Sequence, residues 1–82
     1  MKNHSPYIVD AFWDGTAEVW VATSDEVIGL ATEAPTIEQL RQKLRLIIPE
    51  LIQLNQLIPQ DYQGSIDFEL ISHYQESIQV AA

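Results

Sequence analysis

Asp10, Asp14 and Glu18 surround the stretch DAFWDGTAE, and carboxylates gathered in this way can hold a divalent ion, as they do in metal-dependent nucleases. Their places in the chain argue for a different use. Asp14 falls in a turn and Glu18 faces outward beside the small Ala17, so both read as solvated turn and surface groups. The two histidines, His4 and His73, stand at opposite ends of the chain with no cysteine or second histidine in register, whereas a zinc site needs convergent ligands. No cysteine is present, no G-x-S-x-G occurs, and the glycines at 15, 29 and 64 do not form a phosphate-binding loop. The sequence therefore predicts no catalytic residues, no metal and no cofactor. A weak metal-dependent nuclease built on Asp10 and its neighbours stands as the enzymatic alternative.

The groups suited to binding are clearer. Asp25 and Glu26 form an acidic loop, Trp13 and Trp20 occupy adjacent strands, and Leu57 and Ile58 prolong an apolar helix end, LIIPELIQLNQLI. Four Lys and Arg against twelve Asp and Glu give a formal net charge of −8. Such a chain repels a polyanion over most of its surface, which argues against direct nucleic-acid binding. It also steers basic proteins toward itself. The local exception, Arg41, Lys43 and Arg45, reads as a solvated helix face. The tryptophans are expected in the core, or at an interface if they face outward. Asp25, Glu26, Trp20, Leu57 and Ile58 are the candidate partner-binding residues.

The elements that must position these groups follow from periodicity. YIVDAFW at 7–13 and AEVWVAT at 17–23 are β-branched and aromatic runs separated by Asp14-Gly15-Thr16, and Asp-Gly between such runs signals a hairpin whose glycine tolerates positive φ. A third strand is expected over 28–33. Thr36 and Gln39 have capping-box spacing, and Ile37, Leu40, Leu44, Ile47, Ile48 and Leu51 recur at intervals of three and four, forming one apolar stripe. Pro49 interrupts that stripe and predicts a kink or break near Ile48. Residues 55–65 read as a connection. Ile66, Phe68 and Leu70 then alternate with Asp67 and Glu69 as a fourth strand, followed by a loose tail. The fold class is α+β, ordered β-β-β-α-β: a four-stranded mixed sheet with one helix on one face. A right-handed crossover places the fourth strand parallel to the first and gives the spatial order 3-2-1-4.

A chain of 82 residues is expected to form one domain, with a core over about 7–75 and a flexible N-terminus and C-terminal tail. It buries only roughly 60–65% of its unfolded surface, which makes self-association a reasonable expectation. The expected state is a homodimer, joined through Leu57 and Ile58 at the helix end or through strand edges. No apolar run reaches the roughly 20 residues of a membrane span, and neither a signal peptide nor a cysteine is present, which agrees with a cytoplasmic protein.

With the hairpin, the aromatic strand VWVA, the acidic loop ending in Gly29-Leu30 and the helix opening at Thr36 with Glu38 two residues on, WDGTAEVWVATSDEVIGLATEAPTIEQL resembles the HicB-like antitoxin family. It is most similar to a short branch of uncharacterised proteins, which the run LIIPELIQLN also resembles, and together the likeness covers roughly 8–75. The resemblance implies a degenerate ribonuclease-H-like fold without catalytic carboxylates, dimeric, that neutralises a small basic HicA-like RNA-cleaving toxin. The alternative is a stand-alone homodimeric interaction domain. Two departures accompany the likeness. Ser24 and Ile28 stand where the family loop commonly has prolines, and the chain reaches Ala82 without the helix-turn-helix or ribbon-helix-helix segment of full-length relatives, so operator binding is not expected.

Overall fold

The computed structural model describes residues 6–59 and 61–81; the expectations for His4 and the N-terminus fall outside them. The elements are β1 (Tyr7–Asp14), β2 (Val19–Thr23), β3 (Ala31–Ala34), α1 (Ile37–Leu54) and β4 (Phe68–His73). They form an α+β fold with one four-stranded mixed sheet in the order β3-β2-β1-β4. The β1–β2 and β2–β3 pairs are antiparallel, while β4 lies parallel to β1.

The hairpin forms where Asp-Gly indicated, by a different mechanism. Its four-residue connection places Glu18, and not Gly15, at positive φ (57°). The Asp14 carboxylate accepts from the amides of Thr16 and Ala17 at 3.0 and 3.2 Å, and the Glu18 amide donates to the Asp14 carbonyl at 2.7 Å. Asp14 thus closes the turn with its own side chain, a usual role for aspartate in tight turns.

The third strand starts at Ala31, later than the sequence indicates, because Val27–Leu30 is used for a turn. Leu30 donates to the Val27 carbonyl at 3.1 Å, and Gly29 takes φ 88°. Both Val27, expected in a loop, and Leu30, expected in the third strand, are buried, so a turn supplies two core side chains.

At the start of α1, the Thr36 hydroxyl accepts from the Gln39 amide at 3.1 Å and donates to the Gln39 side-chain oxygen at 3.3 Å. This satisfies one of the free N–H groups of the first turn. Of the kink or break expected near Ile48, the break does not occur: α1 continues past Pro49 to Leu54. Ile48 and Ile52, on either side of the proline, are both fully buried and hold the two halves against the sheet, so packing overrides the lost hydrogen bond.

Along that stripe Leu40, Leu44, Ile48 and Ile52 meet Val9, Ala11, Ala22 and Ala34 in the core. The alanines are what let the helix approach. Its backbone lies close over β3 and β2, and no Cα of α1 comes within 8 Å of a Cα in β1 or β4. Val9 and Ala11 of β1 are nevertheless fully buried beneath the helix side chains, while the helix side of β4 is left half-open at Phe68 and Leu70.

Candidate protein-binding surface

Strand registers sort every sheet residue onto one of two faces, since successive side chains alternate. Val9, Ala11, Trp13, Trp20, Ala22, Ala34, Phe68 and Leu70 share the helix side. The helix-free side carries Ile8, Asp10, Phe12, Val19, Val21, Glu33, Glu69, Ile71 and His73. No element covers this second face among the described residues.

Its middle is apolar. Phe12 is 47% exposed and Ile71 37%, with Ile8, Val19 and Val21 half-buried around them. The Phe12 ring stacks on His73 with centroids 4.5 Å apart and planes 12° from parallel, and the His73 Nε2 lies 3.2 Å from the Asp10 Oδ1. Parallel pairing of β1 with β4 creates this trio by setting His73 beside Phe12. Sequence reasoning missed it, because residues 63 positions apart become neighbours only through sheet order.

The rim of the face is acidic. Asp10, Asp14, Glu33 and Glu69 belong to it, and no lysine or arginine does: among the described residues all the Lys and Arg side chains, Arg41, Lys43 and Arg45, sit on α1. Arg41 is paired there with Glu38 at 2.7 Å, and Lys43 donates to the Glu33 carbonyl at 2.6 Å. The described cations are therefore confined to α1, where Glu38 and Glu50 accompany them.

Of the residues expected to bind a partner, Asp25 is exposed and makes no side-chain hydrogen bond among the described residues. Glu26 is engaged within the fold. Its carboxylate accepts from the Ile8 amide at 2.7 Å, while the Ser24 hydroxyl donates to the Ile8 carbonyl at 2.5 Å. Beyond Thr23 the β2 backbone has turned away from β1, and these two side chains replace the missing ladder bonds. Leu57 and Ile58 line an open groove with Gln53, Gln56 and Pro59 after the helix end. The acidic loop and this groove lie at the same end of the molecule, tied by the Asn55 Nδ2 donating to the Ile28 carbonyl at 3.0 Å.

Trp20 stands apart, at the hairpin end on the helix side. Its ring centroid is 5.5 Å from Trp13 and 6.2 Å from Tyr74, and all three rings form one cluster. The Tyr74 hydroxyl donates to Glu76 at 2.8 Å, and this bond together with the negative charge of Glu76 raises the phenol above its ordinary value near 10.

The carboxylates of the nuclease alternative serve separate tasks. Asp10 faces His73, Asp14 closes its turn, and Glu18 lies in the left-handed turn position. Among the described residues no three Asp, Glu or His side chains are gathered as a metal ion requires, and no helix is long and apolar enough to cross a membrane.

Comparison with known proteins places the chain among proteins that share its fold. The family described as a domain of unknown function, DUF1902, matches residues 6–82. The crystal structure of the hypothetical protein TTHA1013 from the extremely thermophilic bacterium Thermus thermophilus is similar at 39% identity and a TM-score of 0.68, covering 93% of this chain and 100% of that one. No curated protein matches.

Proposed function

We propose that this chain, which belongs to the DUF1902 family, is a non-catalytic protein-binding module of the antitoxin type, whose partner is a small basic RNA-cleaving protein. The observation that carries this reading is the helix-free face, with Phe12, Val21 and Ile71 at its centre and Asp10, Asp14, Glu33 and Glu69 around them. An apolar centre within a polar rim is the general anatomy of a protein interface. Carboxylates in excess over cations accelerate encounter with a basic partner and orient it, and they also compete with RNA for its cationic surface. Asp25 extends the same negative potential beyond the sheet. The resemblance of the hairpin and acidic loop to HicB-like antitoxins supports the choice of partner class.

The test compares the wild-type chain with Glu33→Lys/Glu69→Lys, a pair of exposed substitutions outside the core. The immobilised wild type is expected to retain a small basic protein from the source lysate, one that cleaves RNA alone and is inactive in the complex. The association rate should fall steeply as ionic strength rises, and the charge-reversed pair should lose retention. Equal retention by both forms, or a retained protein without ribonuclease activity, refutes the reading.

A further inference from the structure

Residues 74–81 leave the sheet after β4 and run on without a hydrogen-bonded neighbouring strand, all of them exposed. Ile78 and Val80 are 82% and 87% exposed. The molecule measures 62 × 24 × 19 Å with a Cα radius of gyration of 15.7 Å, against about 12 Å for a compact chain of this length. An extended arm bearing apolar side chains is stabilised by any surface that removes them from water.

The arm continues the alternation of the strand it prolongs. Phe68, Leu70, Tyr74, Ile78 and Val80 all occupy even positions, so in extended backbone they share one face, and Phe68 and Leu70 place that face on the helix side. This is the side of β4 that α1 leaves half-open. In the sheet order β4 is also an edge, with one row of backbone N–H and C=O groups unpaired in the single chain.

We propose that the arm is a strand whose partner is a second copy of this chain: residues 68–80 of two molecules pair antiparallel about a two-fold axis at Tyr74 and join their sheets. The argument for a second copy, and against a foreign strand, is self-complementarity. Pairing about Tyr74 matches Gln75 with His73 and Val80 with Phe68, so that the exposed apolar residues of the arm, Ile78 and Val80, return onto the half-buried apolar residues of β4 (Phe68–His73).

Ile78 then falls opposite Leu70 and Val80 opposite Phe68, both on the half-open side, and Glu76 falls opposite Ser72. Charge fits this arrangement. Lys43 turns one flank of α1 toward β3 through its bond to Glu33; Arg45, about 200° further round the helix, lies on the flank toward β4, where Glu76 of the second copy arrives. At the axis Tyr74 meets its own mate between two Trp13–Trp20 pairs. Thirteen paired residues allow about a dozen main-chain hydrogen bonds, and the interface is isologous and closed.

The experiment combines mass with distance. Light scattering of the full chain at micromolar concentration is expected to give about twice 9.3 kDa. Ile78→Asp/Val80→Asp should give the single-chain mass with an unchanged far-ultraviolet circular dichroism of the body, as should Ile78→Pro, which removes one ladder donor, since the even residues of β4 turn their N–H groups to the free edge while the odd ones bond to β1. Leu57→Glu/Ile58→Glu, at the helix-end groove, should keep the doubled mass. Because the chain has no cysteine, a spin label on Gln79→Cys is specific; residue 79 opposes residue 69, so the two labels should lie roughly 30–40 Å apart at about 3.4 Å per residue. A monomeric full chain, a dimer that persists in both arm variants, a dimer dissociated by the Leu57 and Ile58 substitutions, or a label separation well outside that range overturns the proposal.

Discussion

Glu18 holds a backbone conformation that an L-residue with a long side chain rarely adopts. At φ 57° its Cβ crowds the following carbonyl, a cost of about 1–2 kcal/mol that glycine does not bear. The position persists because the Asp14 carboxylate and carbonyl hold the amides of Thr16, Ala17 and Glu18 around the turn. Glu18→Gly should therefore raise the unfolding free energy by about 0.5–1 kcal/mol, the relief exceeding the extra chain entropy of glycine. Urea titration checks this, and a loss of stability would show that the Glu18 side chain supplies something the geometry does not record. Gly29, at φ 88°, illustrates the opposite choice, where the chain already uses glycine at a comparable bend.

Among the elements, α1 is held by packing at the expense of its own regularity. Pro49 lies in the helix interior, is exposed, and leaves the Arg45 carbonyl without its usual amide donor. The helix survives because Ile48 and Ile52 are anchored on either side. Pro49→Ala, which restores the donor without touching the buried stripe, should stabilise the protein by about 1–3 kcal/mol, within the proline penalty for a helix interior. The shift in urea midpoint at constant slope measures it. No gain would mean that the surrounding structure has already relaxed around the proline. The sheet shows the same dominance of packing, since the small Ala11, Ala22 and Ala34 determine how closely α1 can lie over β2 and β3.

For the whole molecule, one helix lying over β2 and β3 leaves two surfaces open with different chemistry. The helix-free face is apolar with an acidic rim, suited to a basic partner, while the half-open side of β4 and the arm beyond it are suited to each other across two chains. The two surfaces lie on opposite sides of the sheet, so both can be occupied at once. A dimer held by its arms is stabilised by mass action, so the thermal midpoint of the wild type should rise with protein concentration while that of Ile78→Asp/Val80→Asp should not. Differential scanning calorimetry across a hundredfold range of concentration distinguishes them, and a wild-type midpoint independent of concentration would reject arm pairing.

The elements and their order were legible in the residues, because period-two and period-three-to-four patterns, the Asp-Gly turn and the Thr36 cap are local signals that act before any long-range contact forms. The strand order 3-2-1-4 followed from them with the crossover rule. A break near Ile48, the alternative to a kink at Pro49, was a local inference that tertiary packing overrode. The core role of Val27, the bond from the Ile8 amide to Glu26, and His73 against Phe12 and Asp10 were not legible, because each joins segments brought together only by the tertiary fold. Net charge −8 gave the sign of the surface and nothing of its distribution. The confinement of the described cations to α1, with carboxylates alone on the helix-free face, arises from the alternation of side chains across strands whose neighbours the tertiary structure chooses.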